Sequence, residues 1–184
     1  DGYVGTWTSN VIWLLLGGFF LAEGMKRVEL DKALFRLTVE RFGSKPSSLL
    51  LGLMMMTGLA SMVMSNTATT AMMITSILPL AKKLGKEAPM TKSLLIGIPA
   101  AASVGGLGTI IGSTPNAIAV GALESIGIRI EFLTWMAFGF PIALILIYSF
   151  WVYLSKRYVP KVKELDLRFM EEGNASEVKK SDVR

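Results

Sequence analysis

The stretch MVMSNTATTAMM, Met62 to Met73, sets Ser65, Asn66, Thr67, Thr69 and Thr70 among methionines and far from any formal charge. It stands at the centre of an uncharged run of 36 residues, Pro46 to Ala81. One straight helix of that length would extend about 54 Å at roughly 1.5 Å per residue, against a bilayer core of about 30 Å. Two complete spans would each need about 20 residues plus a turn between them, which the run does not hold. Lys32 and Lys45 precede the run and Lys82, Lys83 and Lys86 follow it, so both ends carry the positive charge that marks one side of a membrane. Length, charge and polarity together predict a re-entrant hairpin, in preference to two short full spans. It dips to mid-membrane, turns at Ser65, Asn66 and Thr67, and returns.

Composition places the rest of the chain in lipid too. Its apolar residues come in long blocks and its mean hydropathy is +0.51; in water those blocks would have to be the inside of one helical core. The absence of cysteine excludes disulfides and thiolate metal sites, and the absence of histidine removes the usual general base, proton shuttle and zinc ligand. The net charge of +5 does not imply nucleic acid, because no basic cluster is interleaved with a soluble domain. The chain opens on Asp1 with no signal-peptide pattern, and is expected to be an excerpt from a longer protein.

Working outward from the hairpin at 46–81, gaps in the charge pattern mark the other segments. Residues 1–27 read as a transmembrane helix through NVIWLLLGGFFLAEGM, ending at Glu23, Lys26 and Arg27. Residues 28–45 place Leu30, Leu34, Phe35, Leu37 and Phe42 on one broad face and charges mostly on the other, as in an amphipathic helix at a membrane interface or beside the bundle, with a solvated connecting helix as the blander alternative. Residues 82–126 hold a loop and a second uncharged run, Ser93 to Leu123, too long for one untilted span. It is interrupted by GGLGTIIGSTPN, so a discontinuous transmembrane helix is expected. Residues 127–157 form a last span, with Trp135, Tyr148, Trp151 and Tyr153 toward its ends, and 158–184 a polar tail. Of 19 Lys and Arg residues, all but Arg129 fall in 26–45, 82–92 and 156–184, which this topology puts on one side, the cytoplasm.

The chemistry lies in the two breaks, Ser65-Asn66-Thr67 and Gly112-Ser113-Thr114-Pro115-Asn116, which are expected to meet near the midplane. Broken backbone at that depth is tolerated only where protein buries it or where it lines a cavity. Its carbonyls and hydroxyls suit a dehydrated monovalent cation, and the N-termini of the following half-helices point partial positive charge at an anion. Pro115 fits the first turn of such a half-helix. A blander use of the small residues is close helix packing, as for Gly105, Gly108 and Gly112. The string GLGTIIG is spaced as GxGxxxG with no strand-forming unit around it, so a nucleotide loop is not expected. Neither site-bearing run contains Asp, Glu, His, Lys or Arg. That favours sodium over proton coupling and leaves Ser65 and Thr67 with no base to activate them as nucleophiles.

SNTATTAMM followed about 40 residues later by GGLGTIIGSTPNAI resembles the amino-terminal repeat of the divalent anion/sodium symporter family, over about residues 10 to 160. The resemblance implies an all-α polytopic membrane protein of the cell inner membrane. It has two inverted repeats, each with a re-entrant hairpin and a broken helix, in a homodimer that works by an elevator-type motion. It implies sodium-coupled import of dicarboxylates such as succinate, with citrate or sulfate in some members, and no organic cofactor. Carried over residue by residue, sodium would be held by Ser61, Ser65, Asn66 and the backbone around Gly112, and the substrate carboxylate by Asn66, Thr67, Ser113 and Thr114. No second Ser-Asn-Thr tip or proline-asparagine break follows residue 116, so the second repeat is missing from this chain. A fragment, or a partner that supplies the other half, is expected.

Rival readings are an anion exchanger of the same family without productive sodium coupling, and a structural membrane scaffold whose polar tips serve only packing. An intramembrane enzyme ranks third, since acid and base are lacking.

Overall fold

A computed structural model describes residues 10–28, 33, 37–38, 41–43 and 45–159. Among them all regular structure is helical: α1 (Asn10–Arg27), α2 (Pro46–Ser61), α3 (Asn66–Leu84), α4 (Pro89–Gly105), a 3-10 turn (Gly106–Gly108), α5 (Thr114–Ser125) and α6 (Phe132–Arg157). Most of the expected amphipathic helix at 28–45, and the tail beyond Val159, lie outside the described residues. Of the former, Thr38 and Phe42 stand so close to α2 that a side chain at Gly52 would meet both.

Proline and glycine set the helix ends. α2 and α4 begin with Pro46 and Pro89, and α5 carries Pro115 in its first turn, where a missing N–H costs no hydrogen bond. α3 stops at Gly85, whose φ of 93° is open to glycine, and its N–H donates to the Ala81 carbonyl at 3.1 Å. In the turn that follows, Lys92 donates to Glu87 at 2.6 Å. That hydrogen bond, and then the lysine's charge, hold the Glu87 carboxyl below its usual range.

α2 and α3 form a helical hairpin that turns at 62–65, and α4 and α6 pack on it. The core is built from Leu50, Leu53 and Met54 of α2, Met73 and Ile77 of α3, Leu94 and Ile98 of α4, and Ile147 of α6, all essentially fully buried. α2 and α4 approach most closely at Gly58 and Gly105, where a Cβ on Gly105 would fall on the Gly58 backbone. The small-residue packing expected at Gly105 is therefore present, and such contacts can hold helices together where lipid replaces water.

Two helical stretches are long and apolar enough to cross a bilayer, Pro89–Gly108 with mean hydropathy 1.3 and Phe132–Arg157 with 1.9. They differ in their surroundings: 56% of the first window is buried and 17% of the second, so α6 turns most of its apolar surface outward. The inward side of α6 has polar anchors. Trp151 Nε1 donates to the Ser47 carbonyl at 2.9 Å, and Trp135 Nε1 to the Leu107 carbonyl at 2.9 Å. The two indoles expected at the lipid interface thus spend their N–H groups on α2 and on the break after α4.

Candidate functional site

Two interruptions of helix meet beside each other. The first, between α2 and α3, is short: Met62 and Met64 are buried, Ser65 and Thr67 exposed, and Asn66 half-buried. Ser65 caps α3, its hydroxyl accepting the Ala68 N–H at 3.2 Å, so a side chain expected to face a cation also satisfies the helix start. The second interruption runs from the 3-10 turn at Gly106 to Ser113. Ser113 is the N-cap of α5 but makes no side-chain cap hydrogen bond. Its hydroxyl is accordingly not committed to the helix start, and Thr114 beside it is exposed.

Between the two lies a cavity of about 250 Å³, lined by Gly18, Val63, Ser65, Asn66, Thr67, Ile111, Gly112, Ser113, Thr114 and Pro115. Six positions singled out in the sequence, Ser65, Asn66, Thr67, Gly112, Ser113 and Thr114, share this wall. Ser61 lies outside it, fully buried beneath Asn66. Among the described residues no charged side chain lines the cavity. The starts of α3 and α5 line it, and the leading N–H groups of a helix, which lack partners within it, carry partial positive charge.

The Asn66 carboxamide joins the two breaks. Its inward end is 2.7 Å from Ser61 Oγ, 3.1 Å from the Ala102 carbonyl oxygen and 3.2 Å from the Gly112 carbonyl oxygen. With the amino group inward, Asn66 donates to these oxygens. With its oxygen inward, only the Ser61 hydroxyl donates to it, at 2.7 Å, and the carbonyls of Ala102 and Gly112 crowd a third oxygen. That second arrangement is a cluster of oxygens suited to a cation. It also turns the amide N–H groups toward the cavity, where an anion can accept from them.

Glycine is required where backbones converge. A Cβ at Gly106 would strike Asn66 Oδ1, and one at Gly112 would come within 2.6 Å of the Gly106 carbonyl oxygen and 3.0 Å of the Ser61 carbonyl oxygen. Four residues given no ligand role from the sequence belong to this frame: Ala102, Gly106, Thr109 and Asn116, the last already within the expected break. Asn116, 4% exposed, donates from Nδ2 to the carbonyls of Gly106 and Thr109, both at 2.8 Å. Gly106, Thr109 and Asn116 fall within the GGLGTIIGSTPN string and its polar pattern; nothing in the sequence marks Ala102. Among the described residues no cluster of His, Cys, Asp or Glu could hold a metal ion, and the oxygens gathered around Asn66 are neutral.

A family model described as "Citrate transporter" matches residues 5–181. The sodium-dependent dicarboxylate transporter SdcS of Staphylococcus aureus strain USA300 is 36% identical over 166 residues, covering 82% of this chain and 31% of the relative. The same transporter from strains NCTC 8325 / PS 47 and COL aligns with the same identity and coverage. The chain spans about a third of the length of the curated relatives it matches.

Proposed function

The chain belongs to the citrate transporter family, within the divalent anion/sodium symporters, and from that premise we propose that it contributes one half of the site of a sodium-coupled dicarboxylate transporter. The family is one of transporters and not of enzymes, and the chain is part of an integral membrane protein. The observation that carries the proposal is the single cavity shared by the Ser65-Asn66-Thr67 turn and the Gly112-Ser113-Thr114 break, with the Asn66 carboxamide between them.

Sodium binds among Ser61 Oγ, Asn66 Oδ1 and the Gly112 carbonyl, with Ser65 at the edge. All are neutral oxygens, so the ion is recognised by dipoles. One carboxylate of succinate or citrate accepts from Asn66 Nδ2, from the hydroxyls of Thr67 and Ser113, and from the N-terminal N–H groups of α3 and α5, with Thr114 at the rim. The sodium that orients Asn66 also adds positive charge beside the anion, which couples the two ligands without any titratable group. The rest of the carboxylate site comes from a second, inverted repeat.

In this proposal the α2–α3 hairpin is re-entrant, the basic segments are cytoplasmic, and the transporter is a multi-pass homodimer of the inner membrane that moves its sites by an elevator-type motion. The SdcS name supports sodium and dicarboxylates, and the paucity of charge in the cavity supports the dipolar site. The test is uptake of labelled succinate into vesicles by the transporter containing this chain, with and without a sodium gradient. Uptake that needs sodium supports the proposal; uptake indifferent to sodium replaces it with an exchanger. The scaffold reading follows if neither succinate, citrate nor sulfate enters under any gradient.

A further inference from the structure

Thr109 stands in the break between α4 and α5, 4% exposed, and does not line the cavity. Its hydroxyl donates to the Met62 carbonyl in the hairpin turn and accepts the Gly112 N–H at 3.0 Å. Its own carbonyl accepts from Asn116 Nδ2 at 2.8 Å. One buried side chain thus links the turn after α2 to the break before α5, a sequence separation of 47 residues on the Met62 side. Met62 is at the end of α2, where carbonyls have no helical partner, and the Gly112 N–H precedes α5 and lies outside any helix. Both groups would be costly if left unpaired away from water.

The residue whose N–H Thr109 accepts is the one whose carbonyl faces Asn66. Moving the hydroxyl would therefore move the Gly112 carbonyl relative to Ser61 and Asn66. We propose that Thr109 is the positioning residue of the cation site: its hydroxyl relay, Gly112 N–H to Thr109 to Met62 carbonyl, holds the two breaks in register before an ion arrives. The inference rests on the sodium reading of the cavity given above. Preorganised ligands bind more tightly because less ordering is left to binding, so loss of the relay weakens sodium binding first. The anion contacts at Thr67 and Ser113 do not involve Thr109, and sodium at saturation restores the register they need.

The test uses the complete transporter that contains this chain. Sodium binding is titrated on purified protein by ion-dependent thermal stabilisation, and succinate KM is measured in proteoliposomes at saturating sodium. Thr109→Val keeps the shape and removes donor and acceptor; it is expected to raise the half-saturating sodium concentration about tenfold. Succinate KM at saturating sodium stays within about twofold of the unmodified protein, and Thr109→Ser, which retains the hydroxyl, restores the sodium titration. If the valine variant does not assemble, Thr109→Cys, with its weak thiol donor, carries the test and is expected to shift the titration in the same direction by less.

An unshifted titration in Thr109→Val overturns the inference, or in Thr109→Cys where that variant carries the test; so does an equal loss in Thr109→Ser, or a rise in KM at saturating sodium as large as the sodium shift. Asn66→Ala is run in parallel. If it abolishes the sodium response while Thr109→Val does not alter it, the sodium site stands and the role of Thr109 falls. If the unmodified protein shows no sodium response, or Asn66→Ala titrates like it, the site reading falls and the inference with it.

Discussion

Asn66 carries two chemistries on one planar group, and substitutions can separate them. Asn66→Asp offers oxygen on both ends of the same shape. Sodium binding is expected to persist, while succinate affinity at saturating sodium falls by about tenfold or more, because a charge-assisted donor becomes a like charge. Asn66→Ala loses both. Isothermal titration with each ligand in turn separates the two variants; equal sodium loss in both would show that the carboxamide oxygen does not face the ion. Gly106→Ala places a methyl group against Asn66 Oδ1 and so is expected to weaken sodium binding without removing any ligand, which a sodium titration reads. Much of this site is legible in the sequence because polar residues in a charge-free run need partners. Ser65, Asn66, Thr67, Ser113 and Thr114 line one cavity, and Ser61 and the Gly112 carbonyl, which only the family resemblance points to, lie against Asn66. Ala102 escapes because it acts through its carbonyl, which every residue has. Thr109 escapes because the partner that makes it a link, the Met62 carbonyl, lies 47 residues away, and because it touches the cavity only through Gly112.

Among the elements, the crossing of α2 and α4 decides how firmly the hairpin is held. Gly105→Ala drives a Cβ into the Gly58 backbone, which cannot yield, whereas Gly58→Ala meets the end of the Ile147 side chain, which can turn. Gly105→Ala is expected to cost about 1–3 kcal/mol and Gly58→Ala less; thermal unfolding in detergent checks the order, and the reverse order would place the tight contact elsewhere. The turn between α3 and α4 adds a small acid-sensitive contribution. Glu87 has a lowered folded pKa, so its contribution is present above the ordinary carboxylate range and is lost as pH falls through the lowered value. The group is fully exposed, so salt is expected to erase the effect, and melting curves at low and high salt across acid pH read it. The start of α2 at Pro46 coincides with the start of the uncharged run; the ends at Gly85 and Pro89 are not legible in the charge pattern, which marks lipid limits and not helix limits. The 3-10 turn at Gly106–Gly108 and the indole anchors at Leu107 and Ser47 depend on tertiary contact, which periodicity does not encode.

For the whole molecule, the distribution of positive charge makes a topological prediction. This chain has no cysteine of its own, so each substitution adds the single thiol it carries, in a transporter whose other segments are cleared of cysteine first. Lys45→Cys and Lys86→Cys, at the two ends of the hairpin, are expected to react with an impermeant thiol reagent from the cytoplasmic side only, and Arg129→Cys from the opposite side only. Labelling of Lys45→Cys and Lys86→Cys from opposite faces would make α2 and α3 an odd number of crossings, and the re-entrant hairpin would fall. The outward apolar face of α6 is where lipid or the remainder of the transporter is met, and neither is specified by this chain's own pattern. If the two breaks make one site where cation and anion assist each other, the binding of sodium and of succinate is linked. The most direct measurement is the dissociation constant of succinate with and without saturating sodium, in the unmodified transporter and in Asn66→Ala. Sodium is expected to tighten succinate binding several-fold or more in the unmodified protein, succinate to tighten sodium by the same factor, and Asn66→Ala to abolish both. Succinate binding equally well with and without sodium, or a sodium effect that survives Asn66→Ala, would contradict that linkage.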